Sequence, residues 1–459
     1  MYFSEGSVLA AVGKNSSGLP QVSFQLPPKP FEAEERSLFG EHIVTSVEPG
    51  IGLFGNERAT IHTLHVPELN EYYGRNYYFE WDKARVEPNG LGIISHATRS
   101  NLSLSALDVT ALIRQVFSVV GIDAQPSKPG LIATRLIQQM GGIQGGRPFK
   151  IAGVRDLIEK YRPDQSFTRS GAIQVIRAAD DNTDKVTFDT YEKLYIEPRK
   201  SGSKLTPDAV LSYLLEKGIF RAGLKFDCPS CRLEFWTSLD DVRTEANCEY
   251  CGHKFNITPY LKDRDWAFRR SGLFGRDDHQ EGAIPVLLTL QQLNTIFHTH
   301  EMFYATAMEL KPKQKGAVKL KNGQCETDFV VVVPRPNDMK IDIAIGECKN
   351  RKQIEDQDVD NLQAIVDAFS RDRFNVYIIF SKLSQFSEEE LIRIRRLNTK
   401  YNRRVVLFTP RELEPYFLYE RTAAEFDIKK YASRFEDMVN VTEQVFFKNL
   451  GNQADKDEN

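Results

Sequence analysis

Asp328-Phe329-Val330-Val331-Val332-Val333 is followed, after the turn residues Pro334-Arg335-Pro336-Asn337-Asp338, by Ile341-Asp342-Ile343-Ala344-Ile345-Gly346-Glu347-Cys348-Lys349. Each run is apolar, β-branched and short, the pattern of a strand buried on both faces. An acid opens the first, and an acid-x-lysine closes the second. Side chains alternate along a strand, so Glu347 and Lys349 share a face. If the strands pair, Asp328 joins them there. Two carboxylates can hold a hard divalent cation, and a lysine beside them can orient or deprotonate a water next to a phosphate. Asp342 falls on the opposite face and reads as structural. Cys325 and Cys348 read as small buried residues.

Around these strands the pattern alternates helix and strand. A helix is expected over 290–310, and strands over 317–320, 328–333 and 340–349. A helix over 359–369, a strand over 375–380, a helix over 387–397 and a strand over 404–408 follow. This order, α-β-β-β-α-β with an added α-β, implies a mixed sheet covered on both faces. The fold class expected is α/β for residues 282–420, preceded by other domains. A C-terminal helix and tail occupy 421–459.

A second motif is Cys228-Pro229-Ser230-Cys231, then sixteen residues, then Cys248-Glu249-Tyr250-Cys251-Gly252-His253. Each CxxC turn offers two thiolates, and four thiolates close a tetrahedron around structural zinc. Such a shell leaves no open position for catalysis. It supplies folding energy to a segment, 226–262, expected to be too short for a core of its own. The pattern looks like a zinc ribbon. His253 reads as a surface or outer residue rather than a ligand.

Taken together, the residues Thr327-Asp328-Phe329 and Gly346-Glu347-Cys348-Lys349-Asn350 and the element order around them resemble the PD-(D/E)xK nuclease superfamily, the restriction-endonuclease-like fold. The likeness covers residues 290–415, with Thr327 where the family's name places proline. It implies a magnesium- or manganese-dependent endonuclease acting on DNA, with Asp328 and Glu347 as metal ligands. The backbone carbonyl of Cys348 would be a further ligand, and Lys349 would activate the water. It also implies an acid on the first helix, best matched by Glu301 with Glu309 as the alternative. A glutamine on the helix after the motif is matched by Gln363. The combination with a zinc ribbon looks like prokaryotic restriction or anti-phage defence proteins.

The rest of the 459-residue chain is less legible. Residues 1–125 show β-like runs at 59–66 and 77–81, a loop at 27–30 and a helix at 105–120. His62 and His65 read as ordinary strand residues. Residues 126–225 read as short helices at 131–140 and 154–161, with a third capped by Thr206 and begun by Pro207. They form a connector or a winged-helix-like DNA reader. Arg147, Lys150, Arg155, Lys160 and Arg162 cluster there, and Arg393, Arg395, Arg396, Arg403 and Arg404 cluster later. Each set is a solvated face or a phosphate-contacting edge.

Composition narrows the classes. Net charge is −3 and apolar residues make up 41 %, so bulk charge does not announce a nucleic-acid partner, and a sizeable core is affordable. No apolar stretch reaches the ~20 residues of a membrane span, and the start lacks a secretion-signal pattern. Four of six cysteines in CxxC pairs suit a reducing compartment. The expected location is the cytoplasm. The chain carries no GxxxxGK[ST] loop, so an ATP-driven or sensing step would come from a partner protein. An oligomer is compatible with the sequence. Two other functions compete: a binding subunit with an inert nuclease fold, and a nuclease acting on RNA. Asp328, Glu347 and Lys349 standing together argue against the first.

Overall fold

The computed structural model describes residues 107–178, 188–192, 204–261, 265–276, 282–297, 302–313, 318, 320, 323–335, 340–399 and 402–448, together with strand segments between residues 9 and 105. The chain divides into two compact units, Met1–Ala124 with Phe303–Ala305, and Gln125–Met302 with Thr306–Asn459. The helical region, the cysteine segment and the mixed sheet therefore share the second unit.

The first unit is mainly antiparallel. Leu9–Lys14, Pro20–Gln25 and Asn101–Ser105 form one sheet, and His42–Val47, Ala59–Leu64, Gly90–His96 and Ala84–Glu87 another. The helix Val109–Val119 follows. His62 sits in a strand, and His65 lies outside the described residues. So does the expected loop at 27–30.

The second unit is built on a sheet in which Cys325–Arg335, Lys340–Lys349, Phe374–Lys382 and Val405–Phe408 lie in that order, with the strand Phe303–Pro312, whose residues from Thr306 onward belong to this unit, before them. Cys325–Arg335 runs antiparallel to Lys340–Lys349, with Phe329 opposite Gly346 and Val331 opposite Ala344. The next two pairings are parallel, with Lys349 opposite Lys382 and Phe380 opposite Leu407. Val330, Val331, Ile343, Ile345, Ile378 and Phe380 are buried, as strands covered on both faces require. The helices Asp356–Asp367 and Glu388–Arg395 lie between parallel strands. The helix Phe435–Thr442 closes the layer, its Phe435 ring 4.9 Å from Tyr377 and 4.8 Å from Phe297. No described helix is long and apolar enough to cross a membrane.

Two expected elements are corrected. The first helix is Ala283–Ile296, and it does not continue to residue 310. Phe303–Pro312 is a strand instead, because its aromatic and β-branched residues Phe303, Tyr304 and Thr306 suit a pleated surface. It replaces the strand expected at 317–320, where Val318 and Leu320 belong to no strand. The expected element order survives with this substitution.

Before the sheet come the helices Lys128–Gln139, Ala152–Lys160, Arg169–Arg177 and Pro207–Glu216. Each of three has a hydroxyl cap: Ser127 on Gly130 N, Thr168 on Gly171 N and Thr206 on Ala209 N, which satisfies a helix-end donor. Their companion sheet has the order Phe167–Thr168, Ala267–Arg270, Phe220–Asp227, Glu234–Ser238. The cysteine segment leaves this sheet from Phe220–Asp227 and returns at Ala267–Arg270, and those strands pair with each other, Arg221 opposite Arg269.

The basic cluster at 147–162 divides: Arg147, Lys150 and Arg155 turn inward, while Lys160 and Arg162 are exposed. Arg147 and Lys150 are buried, and Lys150 donates to the Pro415 carbonyl at 2.6 Å. Arg155 pairs with buried Glu414 at 2.6 Å, which also accepts from Tyr191 and Arg421. Buried charges are kept only when paired, so these side chains fasten the helices to the sheet and offer no phosphate surface. The later cluster is mostly spent too: Arg393 and Arg396 bind Asp356, and Arg404 binds Asp367.

Gly346 is the tightest point of the sheet. A Cβ there would stand 2.1 Å from Phe329 Cε1. Gly346→Ala should therefore destabilise the protein by about 2 kcal/mol or more, read as a lower midpoint in chemical denaturation. An unchanged midpoint would show that the Phe329 ring has room to move.

Candidate functional site

Three of the expected residues come together at one end of the antiparallel pair. Beyond Phe329 and Gly346, Asp328 Oδ2 accepts a hydrogen bond from Cys348 N at 2.6 Å. Lys349 Nζ is bonded to Glu347 Oε1. Thr327, buried, holds the corner: its hydroxyl lies 2.9 Å from the Gly346 carbonyl oxygen and accepts from Gly346 N at 3.1 Å.

The electrostatics follow from burial. Burial pushes the Asp328 carboxyl up to about 6, against the Cys348 N–H and the Lys349 charge, which pull it down. Glu347 is raised well above the usual carboxylate range by burial first and by Asp328 second. Burial works to lower Lys349, but the Glu347 carboxylate outweighs it and the ammonium is held firmly protonated. Two carboxylates thus share a site with one lysine, and their mutual repulsion is relieved by a proton or a cation.

A fourth group was missed by the sequence reading. Asp358, in the first turn of Asp356–Asp367, stands 3.7 Å from Lys349 Nζ and accepts from Glu355 N at 3.0 Å. The signal that could have found it is an acid at the third position of the helix after the motif, a capping position. Gln363, the expected glutamine, is five residues further on, about 140° around the helix axis from Asp358 at ~100° per residue. It lies on a different side from the group that reaches Lys349. Glu301 lies outside the described residues. Glu309 is on the strand Phe303–Pro312 and pairs with Lys311 at 3.0 Å. The first helix itself, Ala283–Ile296, carries no acid. It contributes Thr289, which donates to Ser381 Oγ at 2.7 Å and lies 3.9 Å from Cys348 Sγ. Asp342 is structural as expected, accepting from Asn375 at 2.9 Å, and Cys325 and Cys348 are buried.

The second constellation is the cysteine cluster. The four Sγ atoms lie within 4.8 Å of one another. Cys228 and Cys251 are 3.6 Å apart, Cys231 and Cys248 3.7 Å. Thiolates ~2.3 Å from one tetrahedral ion stand about 3.8 Å apart, so the cluster can hold a metal ion. The two turns are built alike. Arg232 N donates to Cys228 O at 2.8 Å and Gly252 N to Cys248 O at 2.9 Å. Both residues are left-handed, with φ of 61° and 68°. His253 is exposed and stacks on Phe255 at 6.2 Å, away from a ligand role. The segment does have a core, contrary to expectation. Leu224, Phe226, Phe235, Ala246 and Ile257 bury around Cys228 and Cys248, with residues borrowed from the strands that enter the ribbon.

No protein-family model matches the chain, and no curated protein does. Among solved structures, it is similar at 13 % identity and a TM-score of 0.31 to protein VC1899 from Vibrio cholerae. The match covers 69 % of this chain and 61 % of that one.

The paired turns give a sharp test. Gly252→Ala forces a Cβ into the left-handed region and should cost about 1 kcal/mol, while Arg232→Gly should relieve a similar strain. Metal release to a coloured chelator should be faster in the first variant and slower in the second. Equal rates would mean that the turns do not govern the cluster.

Proposed function

We propose that the chain is a metal-dependent endonuclease that hydrolyses phosphodiester bonds of DNA, with a zinc-bearing arm that recognises the target. The observation that carries this is the convergence of Asp328, Glu347 and Lys349: a half-buried and a buried carboxylate share one lysine, which leaves a negative charge for a cation or a proton to offset. Asp328 and Glu347 would hold magnesium or manganese, which when bound supplies Lewis-acid stabilisation of the scissile phosphate. Lys349, held as an ammonium, would orient the attacking water and meet the developing charge. Asp358 keeps the Lys349 ammonium aimed along the site. Cys348 N fixes Asp328, so the carboxylate is oriented before any ligand arrives.

The metal at Cys228, Cys231, Cys248 and Cys251 is read as structural zinc, because four thiolates suit it and leave no open position. The helix Ala152–Lys160, the strand Phe167–Thr168, the helices Arg169–Arg177 and Pro207–Glu216, and the strands Phe220–Asp227 and Ala267–Arg270 follow the order of a winged helix. The zinc ribbon then takes the place of the wing. A role in restriction or anti-phage defence in the cytoplasm fits this combination.

Plasmid cleavage with magnesium, manganese or EDTA is the test. Asp328→Ala and Glu347→Ala should abolish cleavage. Lys349→Ala should keep metal binding and lose roughly a hundredfold or more in rate. Activity should vanish in EDTA and return with magnesium. Full activity in either carboxylate variant would sink the assignment. Cleavage of RNA alone would move the substrate to the competing class. Elemental analysis should find about one zinc per chain.

A further inference from the structure

At the stem of the cysteine segment lies a cleft of about 580 Å³ that is lined by five cations, Lys128, Arg221, Arg269, Arg270 and Arg276, and, among the described residues, by no carboxylate. Its construction begins with Gly223. A Cβ there would stand 2.4 Å from the Trp236 ring, so the glycine opens a trough across the sheet. Trp236 fills it, donating from Nε1 to Ala267 O at 3.2 Å. Two guanidinium groups lie against that ring, Arg269 at 4.9 Å and Arg221 at 5.9 Å.

Arg221 and Arg269 are direct cross-strand partners. Like charges placed opposite each other are unfavourable, and here neither arginine has a carboxylate within ion-pair distance among the described residues. The Arg269 Nε is buried without a hydrogen-bond partner. Leaving a buried donor unmade costs free energy, and the two cationic side chains, half-buried Arg269 and exposed Arg221, carry charge that nothing described beside them neutralises. The indole supports both guanidiniums by cation–π contact, and both arginines line the cleft. A planar fork of this kind matches the oxygens of a phosphate. By contrast Arg270 is committed to structure, donating to Phe274, Ile158, Tyr161 and Arg276 carbonyls.

The cleft is joined to the carboxylate centre by one helix, Ala152–Lys160. Its Glu159 binds Arg351 at 2.6 Å and Asn350 at 3.2 Å, the residues directly after Lys349. Just past its end, Tyr161 O receives Arg270, and Pro163 lines the cleft. Both sites therefore flank the last turn of the same helix.

We propose that this arginine–tryptophan cleft is a phosphate-binding site that anchors the backbone of a nucleic-acid strand beside the Asp328–Glu347 centre. The inference rests on the nuclease reading for its substrate, but the site is tested without cleavage. Arg221 and Arg269 are the binding residues, and Trp236 and Gly223 position them. The outward face of Pro207–Glu216, with Asp208 and Glu216, offers a phosphate backbone no such complement.

The experiment uses the full chain in EDTA and a fluorescein-labelled single-stranded DNA of about 16 nucleotides, the upper end of one strand-binding module. Anisotropy titrations at several salt concentrations compare wild type, Glu347→Ala and the double variant Arg221→Gln/Arg269→Gln. Thermal midpoints confirm that each is folded. The double variant should bind about tenfold or more weakly, and its salt slope should flatten by about 1.4, at ~0.7 per lost phosphate contact on a single strand. Glu347→Ala, which leaves the cleft intact, should not weaken binding. Trp236→Phe should weaken binding less, since a smaller ring still supports the guanidiniums. Unchanged affinity and slope in the double variant would overturn the cleft, whatever the chain cleaves. Loss of binding there in a chain that never cleaves DNA would leave the cleft standing and remove the nuclease. Inorganic phosphate and a mononucleotide serve as competitors. If either displaces the strand at concentrations matching the strand's own phosphate, the ligand is a small phosphate and the strand proposal fails.

Discussion

One buried hydroxyl sets the geometry on which the rest of the carboxylate centre depends. The antiparallel ladder between Cys325–Arg335 and Lys340–Lys349 ends at Phe329 and Gly346. One residue further, the Thr327 side chain takes over the work of a backbone group, bonding both the N–H and the carbonyl of Gly346. The Phe329 ring lies where a Gly346 side chain would be, so the two strands approach closely there. With both sides pinned, Asp328 is turned onto Cys348 N. A threonine can bridge in this way and a proline cannot, since proline has no hydroxyl.

The strand pair was legible because its signal was dense: two apolar runs, a turn between them, an acid opening the first and an acid-x-lysine closing the second. The alternation of Glu347 and Lys349 then followed from strand geometry alone. The strand Phe303–Pro312 was not legible, because a mixed run of Met, Ala, Leu and Glu satisfies both periods, and the helix before it hid the boundary. That error put Glu309 on a helix, whereas it lies on this strand and pairs with Lys311; Glu301 lies outside the described residues. Asp358 was missed for the opposite reason. Its partner, Lys349, lies nine residues away on a strand, and only the packing of helix on sheet brings them together. The basic residues at 147–155 could not be sorted from sequence at all, because an arginine that binds a buried Glu414 and one that faces water look identical in a string. The four cysteines were readable because their spacing is itself the geometry of the site.

The position of those internal ion pairs explains why the helical region and the sheet form one compact unit. Glu414, just past the last core strand, gathers Arg155, Tyr191 and Arg421 from three separate stretches of chain. Gln292 of the first helix donates to the Pro415 carbonyl, which also receives Lys150. Removing one partner from such a network leaves a buried charge unmatched, which costs more than the pair itself contributes. The seam is therefore intolerant of single changes, and the two halves are fixed in register.

The cysteine segment obeys a different rule. It leaves the sheet along Phe220–Asp227 and returns along Ala267–Arg270, and these strands are zipped to each other before the excursion begins. The stem closes whatever the loop contains. A chain built this way can exchange its excursion for a longer, shorter or differently metallated one while the underlying sheet and its helices keep their pairing. Change in the excursion needs no accommodation by the carboxylate centre. Related chains would be expected to vary most between residues 228 and 260 and least at the stem, as a tool handle stays constant while its bits are changed.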